Sequence, residues 1–319
     1  MLHPQIEAVL RAMADAKLRR FEDMTPVEAR AQFDAVARAN KAARAPVCSI
    51  TNTSIRGSES MIDVRVYRPH VLAPLPAIVY FHGGGHVVGS LDSHDLTARN
   101  LCSGAEAVVI SVDYRLAPEN KFPAAVIDAF DALLWVIGHA EELGVDPERI
   151  GVAGDSAGAN LAAVVSIMAR DAGSPRICLQ SLVYPVIDYS MQDETYARYA
   201  DGFGVLTKSA MLWFRNHYLR TPADADDWRA SPIKMASLAG VAPAIIIAAQ
   251  CDVVRDEGER YANALREAGV PAERREYPGM IHGFFGMTLA VDDAANAQRD
   301  VQMAFRRAFD CRKPPVFAN

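Results

Sequence analysis

The chain holds 319 residues, half of them hydrophobic and 23% charged, a balance that excludes a disordered or low-complexity protein. Its net charge is −6, with lysines and arginines scattered and no basic block, so nucleic acid is not an expected partner. No stretch reaches the ~18 continuous apolar residues of a membrane span, and the length leaves room for one large α/β domain or two smaller ones.

The amino terminus, MLHPQIEAVLRAMADAKLRRFEDM, carries early acidic residues and lacks both an unbroken apolar run and a cleavage site, so it does not read as a signal peptide. Ile6, Val9, Leu10 and Met13 recur at helical spacing instead. Thr25-Pro26-Val27-Glu28 has the spacing of a capping box with proline at the first helical position, and the first 50 residues read as a helical preface. From residue 62 the pattern changes to short β-rich runs: IDVRVYRP, AIVYFHG, AVVISVDY, RIGVAG, SLVYP, AIIIAAQ and ERREYP, separated by segments of helical periodicity. Strands alternating with helices predict a mainly parallel sheet. Runs such as AIVYF and AIIIAA, apolar on both faces, predict that helices cover the sheet on each side. After Pro185 come about forty residues without a β-run, including the helix-like KSAMLWFRNHYL. An insertion of that length is expected to be a lid or binding element. Five cysteines, Cys48, Cys102, Cys178, Cys251 and Cys311, are odd in number and lack a CxxC pair, which argues against disulfides or zinc and predicts a reduced, cytoplasmic protein.

The segment RIGVAGDSAGANLAAVVSIMAR passes from a β-run through Gly154-Asp155-Ser156-Ala157-Gly158 into a strongly helical sequence. This is GxSxG in a strand-turn-helix context, in which a serine sits exposed on a sharp, strained turn that larger flanking residues would obstruct. The helix N-terminus behind it favours developing negative charge. Phe81-His82-Gly83-Gly84-Gly85-His86 follows the apolar strand AIVYF, and three glycines let its backbone N–H groups turn toward a ligand. In an acyl-transfer site these donors, with the N–H of Ala157, would hold the oxyanion of a tetrahedral intermediate. The segment lacks the GK[ST] ending of a phosphate loop and the spacing of a dinucleotide fingerprint. His82 and His86, on a loop and without HExxH, are not expected to make a metal pair.

A serine nucleophile needs a base, and the base an orienting carboxylate. Asp252 directly follows the AIIIAAQC run, and His282 lies in the short loop Pro278 to Phe284 after ERREYP. Ser156, Asp252 and His282 therefore run in the chain order of α/β-hydrolases. Asp256 and Glu257 are competing acids, read as first-turn carboxylates of a new helix. His3, His70, His94, His139 and His217 lack a glycine-framed position after a strand and are taken as surface or packing residues. Trp213, Phe214 and Phe203 in the insertion could line a pocket, but aromatics at helical spacing are more often ordinary packing.

His82–Gly85, Gly154–Gly158, the run Asp252-Val253-Val254-Arg255-Asp256-Glu257-Gly258, His282-Gly283-Phe284 and Tyr114-Arg115-Leu116-Ala117-Pro118-Glu119 together resemble the bacterial hormone-sensitive-lipase family of carboxylesterases, family IV, over residues 75 to 290. The resemblance implies an α/β-hydrolase fold: a central, mainly parallel sheet flanked by helices, with a helical cap from residues 1–50 and about 186–230 over a catalytic body of about 51–185 and 231–319. It implies cofactor-free hydrolysis of short- to medium-chain acyl esters, with Ser156 as nucleophile, His282 as base and Asp252 as orienting acid. Gly84, Gly85 and Ala157 match the oxyanion donors, with His82 and Gly83 supporting the loop, and residues 114–119 match a structural element. The implied partner is a small ester, with no membrane span and a possible homodimer. Two departures leave the triad intact: His86 replaces the Phe or Trp that many relatives carry, which predicts a more polar pocket, and Val253 replaces proline. Two other functions use the same scaffold. A ligand receptor of this kind has lost the histidine that this chain keeps, and an amidase or deacetylase would use the same triad.

Overall fold

The computed structural model describes residues 1–40, 42–72 and 74–310, so Cys311 lies outside the described residues. In chain order the helices are α1 (Pro4–Asp15), α2 (Pro26–Ala39), α3 (Asp95–Ala105), α4 (Ala124–Gly138), α5 (Ala140–Leu143), α6 (Ala157–Asp171), α7 (Thr195–Arg198), α8 (Lys208–Tyr218), α9 (Arg255–Glu267) and α10 (Asp292–Asp310). The strands are β1 (Ser49–Arg56), β2 (Met61–Arg68), β3 (Leu75–Phe81), β4 (Val108–Asp113), β5 (Val145–Asp155), β6 (Ile177–Val183), β7 (Ala244–Cys251) and β8 (Ala272–Ile281). Among the described residues no helix is long and apolar enough to cross a membrane.

The capping box predicted for α2 forms: the Thr25 amide donates to Glu28 Oε2 at 2.8 Å and the Glu28 amide to Thr25 Oγ1 at 3.3 Å. The helical preface ends sooner than expected, at Ala39, and Ser49 already opens β1. That strand carries no legible alternation because it is an edge strand whose only buried residue is Ile55. Its pairing with β2 supplies what its sequence does not advertise.

The eight strands form one sheet in the order β1-β2-β4-β3-β5-β6-β7-β8. β1, β2 and β4 are linked antiparallel, and every pair from β4 to β8 is parallel. All of β3 is buried, as its uniformly apolar sequence requires. β8 runs further than the ERREYP pattern suggests, through Pro278 to Ile281. A register shift between Ala249 and Cys251 absorbs the proline and glycine, and pairing resumes at Cys251 with Ile281. The parallel strands end on one edge of the sheet, where β3 leads into residues 82–86, β5 into Ser156, β7 into Asp252 and β8 into His282. That carboxyl edge is where open α/β sheets hold their ligands.

One close approach sets the geometry of this edge. A Cβ on Gly158, in the first turn of α6, would fall 2.0 Å from the Phe81 carbonyl oxygen, and one on Gly154 would fall 2.2 Å from the Gly158 carbonyl. Only glycine lets α6 start so near β3.

Residues 184–243 contain no strand, as the sequence pattern implies. Their helix α8 packs on the amino-terminal segment, with Phe214 5.0 Å from Phe21 between ring centroids and Thr207 Oγ1 donating to Glu22 Oε1 at 2.7 Å. Lys121 Nζ donates to the carbonyls of Asn216 and Leu219 at the carboxyl end of α8. The Arg30 guanidinium of α2 donates to the carbonyls of Val87 and Ala117 and pairs with Glu119 at 2.6 Å.

Glu257 does lie in the first turn of α9, but it is also fully buried. Its carboxyl accepts the amides of Ile187 and Asp188 at 2.5 and 2.9 Å and the Tyr196 hydroxyl at 2.5 Å, tying the segment after β6 to the helix that follows Asp252. Burial pushes this carboxyl up to about 8 against the pull of those donors. A carboxyl raised in the folded state stabilises fully below its unfolded value, near 4.5, and that contribution is lost as pH rises through about 8. Glu257→Gln, which keeps an acceptor for the two amides, is expected to flatten the decline of the urea midpoint between about pH 5 and 8. An unchanged slope would show that Glu257 is ionised in the fold. Gly158→Ala is expected to destabilise by about 1–3 kcal/mol or more in the same assay, through overpacking against the end of β3.

Candidate active site

Ser156 joins β5 to α6 with φ 55 and ψ −117, a positive-φ conformation that costs a non-glycine residue on the order of 1–3 kcal/mol. Its amide donates to the Val183 carbonyl at 2.8 Å, and its carbonyl accepts the Asn160 amide at 3.1 Å. Ser156 Oγ stands 2.9 Å from His282 Nε2, and His282 Nδ1 stands 2.7 Å from Asp252 Oδ2. With Nδ1–H donating to the carboxylate, Nε2 is left bare to accept the serine hydroxyl. Asp252 is buried and its Oδ1 accepts the Val254 amide at 3.2 Å. Tyr184, itself at φ 34, packs its ring 4.5 Å from that of His282. The competing acids are engaged elsewhere, Asp256 with Arg255 at 3.2 Å and Glu257 with the segment after β6.

Beside this array lies the glycine loop. Gly84 and Gly85 adopt φ 122 and 60, and the amides of Val87 and Val88 close the turn on the Gly84 carbonyl at 3.0 and 2.9 Å. Among the described residues the amides of Gly84 and Gly85 donate to no protein acceptor. Ala157 occupies the first position of α6, where the N–H has no intrahelical partner. Gly83 donates to Asp155 Oδ1 at 3.1 Å. His82 is fully buried, stacks on Tyr114 at 4.4 Å, and its carbonyl accepts the Tyr114 hydroxyl at 2.7 Å. Burial pushes its ring down to about 3, so it is neutral.

His86 is likewise fully buried and pushed down to about 3 by burial. Its face stacks on Tyr218 at 3.8 Å, and its Nδ1 lies 3.0 Å from the Tyr189 hydroxyl. Val253 is buried, and its carbonyl accepts the Thr195 hydroxyl at 2.8 Å. Of the histidines read as surface or packing residues, His3 caps α1, His70 is exposed, and His139 and His217 approach carbonyls one helical turn back. His94 differs: its Nε2 lies 3.6 Å from Asp155 Oδ2, one residue from Ser156. Phe203 is exposed, whereas the Phe214 ring lies where a Cβ on Gly85 would be, 2.2 Å from its Cδ1. Sequence reasoning left Asp155, His94 and Phe214 out of the site. Asp155 was legible inside GDSAG, while the other two arrive only through tertiary packing. Among the described residues no cluster of three or more His, Cys, Asp or Glu side chains is arranged to hold a metal.

Residues 78–286 match the model of the alpha/beta hydrolase fold family. The chain is 37% identical to ethyl acetate hydrolase of Pseudomonas putida over 92% of its own length and 95% of that protein. It is 45% identical to carboxylic ester hydrolase LipN of Mycobacterium tuberculosis, over 75% of this chain and 65% of LipN. Among solved structures, the hyperthermophilic esterase of the archaeon Pyrobaculum calidifontis superposes with a TM-score of 0.91 at 41% identity, covering 96% of this chain and 98% of that one. A sheet of this topology, a serine on a strained turn at its carboxyl edge and relatives that are esterases lead to one conclusion: the chain belongs to the alpha/beta hydrolase fold family, in its bacterial hormone-sensitive-lipase branch, and is a carboxylic ester hydrolase.

Proposed function

We propose that the protein hydrolyses short- to medium-chain acyl esters through an acyl-enzyme on Ser156, with His282 as general base and Asp252 as its orienting acid. The observation that carries this reading is the bridging of His282 between Ser156 Oγ at 2.9 Å and Asp252 Oδ2 at 2.7 Å. In the first half-reaction the hydroxyl proton passes to Nε2 as Oγ bonds to the ester carbonyl carbon. The carbonyl electron pair moves onto its oxygen, where the amides of Gly84, Gly85 and Ala157 receive the charge. Asp252 stabilises the imidazolium, which then protonates the departing alkoxide as the ester C–O bond breaks. Water repeats the sequence on the acyl-enzyme: its proton goes to His282, its oxygen bonds to the acyl carbon, and Ser156 Oγ leaves with the proton returned.

His82 and Gly83 support the donor loop in this reading. Residues 1–50 and about 186–230 form a cap over a body of about 51–185 and 231–319. A small acyl group is favoured by the relative named for ethyl acetate and by Phe214, whose ring lies against Gly85 and narrows the space over the donors.

The test is hydrolysis of p-nitrophenyl esters from acetate to palmitate by wild type and Ser156→Ala, at matched folding by circular dichroism. Turnover should peak at short or medium chains and fall by about 10⁴-fold or more in kcat in the variant, leaving the residue due to the backbone donors. Full activity in Ser156→Ala, or a maximum at palmitate, would overturn the reading.

A further inference from the structure

Asp155 follows Gly154 and precedes the proposed nucleophile, and its carboxylate is nearly buried. Its Oδ1 accepts the Tyr80 hydroxyl at 2.6 Å and the Gly83 amide at 3.1 Å. One carboxylate therefore spans from the serine turn to the loop that carries Gly84 and Gly85. The approach is close enough that a Cβ on Gly83 would fall 2.3 Å from Asp155 Oδ2. A buried carboxylate must be satisfied at both oxygens. The group facing Oδ2 is His94 Nε2 at 3.6 Å.

His94 is held so that this nitrogen points at Asp155. It stands at the N-cap of α3, its Nδ1 is 2.8 Å from Ser93 Oγ, and Ser93 is fixed by reciprocal hydrogen bonds with Ser90. Its ring stacks on Phe33 at 6.0 Å and on His82 at 5.3 Å. If Ser93 Oγ donates to Nδ1, the proton of a neutral ring sits on Nε2. If Ser93 Oγ donates instead to the Ser90 carbonyl, 3.0 Å away, it accepts from Nδ1. The first arrangement turns Nε2–H toward Asp155 Oδ2. Burial alone would raise the Asp155 carboxyl, yet the nearby His94 ring and the hydrogen bond from Tyr80 hold it below its ordinary value.

We infer that His94 is a positioning residue for ester hydrolysis. Its Nε2–H fixes Asp155, Asp155 fixes the Gly83 amide, and the Gly84 and Gly85 amides are thereby held at a set distance from Ser156. This inference rests on the proposed role of those amides and of Ser156. It assigns His94 no contact with substrate; its effect falls on the transition state, where donor placement matters most.

The experiment crosses shape against hydrogen bonding. His94→Phe keeps an aromatic ring to stack between Phe33 and His82 but removes the donor, and His94→Gln keeps a donor but removes the ring. With p-nitrophenyl butyrate, His94→Phe is expected to lose about 10- to 100-fold in kcat with KM within about twofold, and His94→Gln to recover most of that loss. Wild-type kcat in His94→Phe, or equal losses in both variants, would overturn the inference. Ring-nitrogen NMR on the wild-type protein tests it without any variant: Nε2 of His94 should carry a proton at neutral pH, and a bare Nε2 contradicts the assignment. Absence of Ser156-dependent turnover in wild type would remove the functional reading and this inference together. Intact wild-type turnover with an unaffected His94→Phe removes this inference alone.

Discussion

The site depends on a backbone conformation that the chain would not adopt unaided. Ser156 sits at φ 55 because β5 must turn directly into α6, and that turn exists only because Gly154 and Gly158 leave no side chain between helix and strand. The strain is offset by a wholly buried β3 on one side and by hydrogen bonding of Ser156 to Val183 and Asn160 on the other. Its return is positional: the hydroxyl stands clear of the sheet edge, and the N-terminus of α6 faces the same space.

Everything else at the edge is placed relative to that turn. β7 and β8 deliver Asp252 and His282 from neighbouring strands, and the register shift that lets β8 accommodate Pro278 and Gly279 brings His282 beside the serine. β3 delivers the glycine loop. Asp155 holds Gly83 of that loop, the Tyr114 hydroxyl holds the His82 carbonyl, Arg30 of α2 holds the Val87 carbonyl, and Phe214 lies against Gly85 from α8. The two buried imidazoles of the loop, His82 and His86, are neutral because burial outweighs any neighbouring charge. The loop therefore presents backbone dipoles with no fixed positive charge of its own, the kind of donor set that the proposed reaction needs for its oxyanion.

Much of this was legible in the sequence because the chemistry is local. Ser156 is framed by small residues on a strand-turn-helix, the strands leading to His82 and Asp252 are strongly apolar, and His282 lies in a short loop after the charged ERREYP run, so these residues could be placed at one edge from pattern alone. The capping box of α2 and the strandless stretch after β6 are local features of the same kind. What escaped was set by distant partners. β1 is polar and recognisable only by its pairing with β2, and the last residues of β8 carry a proline and glycine that argue against a strand until the bulge is known. His94 looked like an isolated polar residue, and nothing in SLDSHDL signals that its ring reaches Asp155, 61 positions on. Glu257 reads from sequence as a first-turn carboxylate of α9, and it is one. Its burial follows from the path of residues 187–196, which no periodicity in α9 encodes.

The claim on which the account turns is that Ser156 Oγ is the atom that becomes acylated. A p-nitrophenyl alkylphosphonate, which transfers phosphorus to an activated serine and releases p-nitrophenolate, tests this with peptide mass mapping. The account predicts one p-nitrophenolate released per chain, loss of esterase activity in proportion, and the adduct on the peptide bearing Ser156. Activity lost with the adduct elsewhere, or turnover undiminished once Ser156 is fully modified, would contradict it.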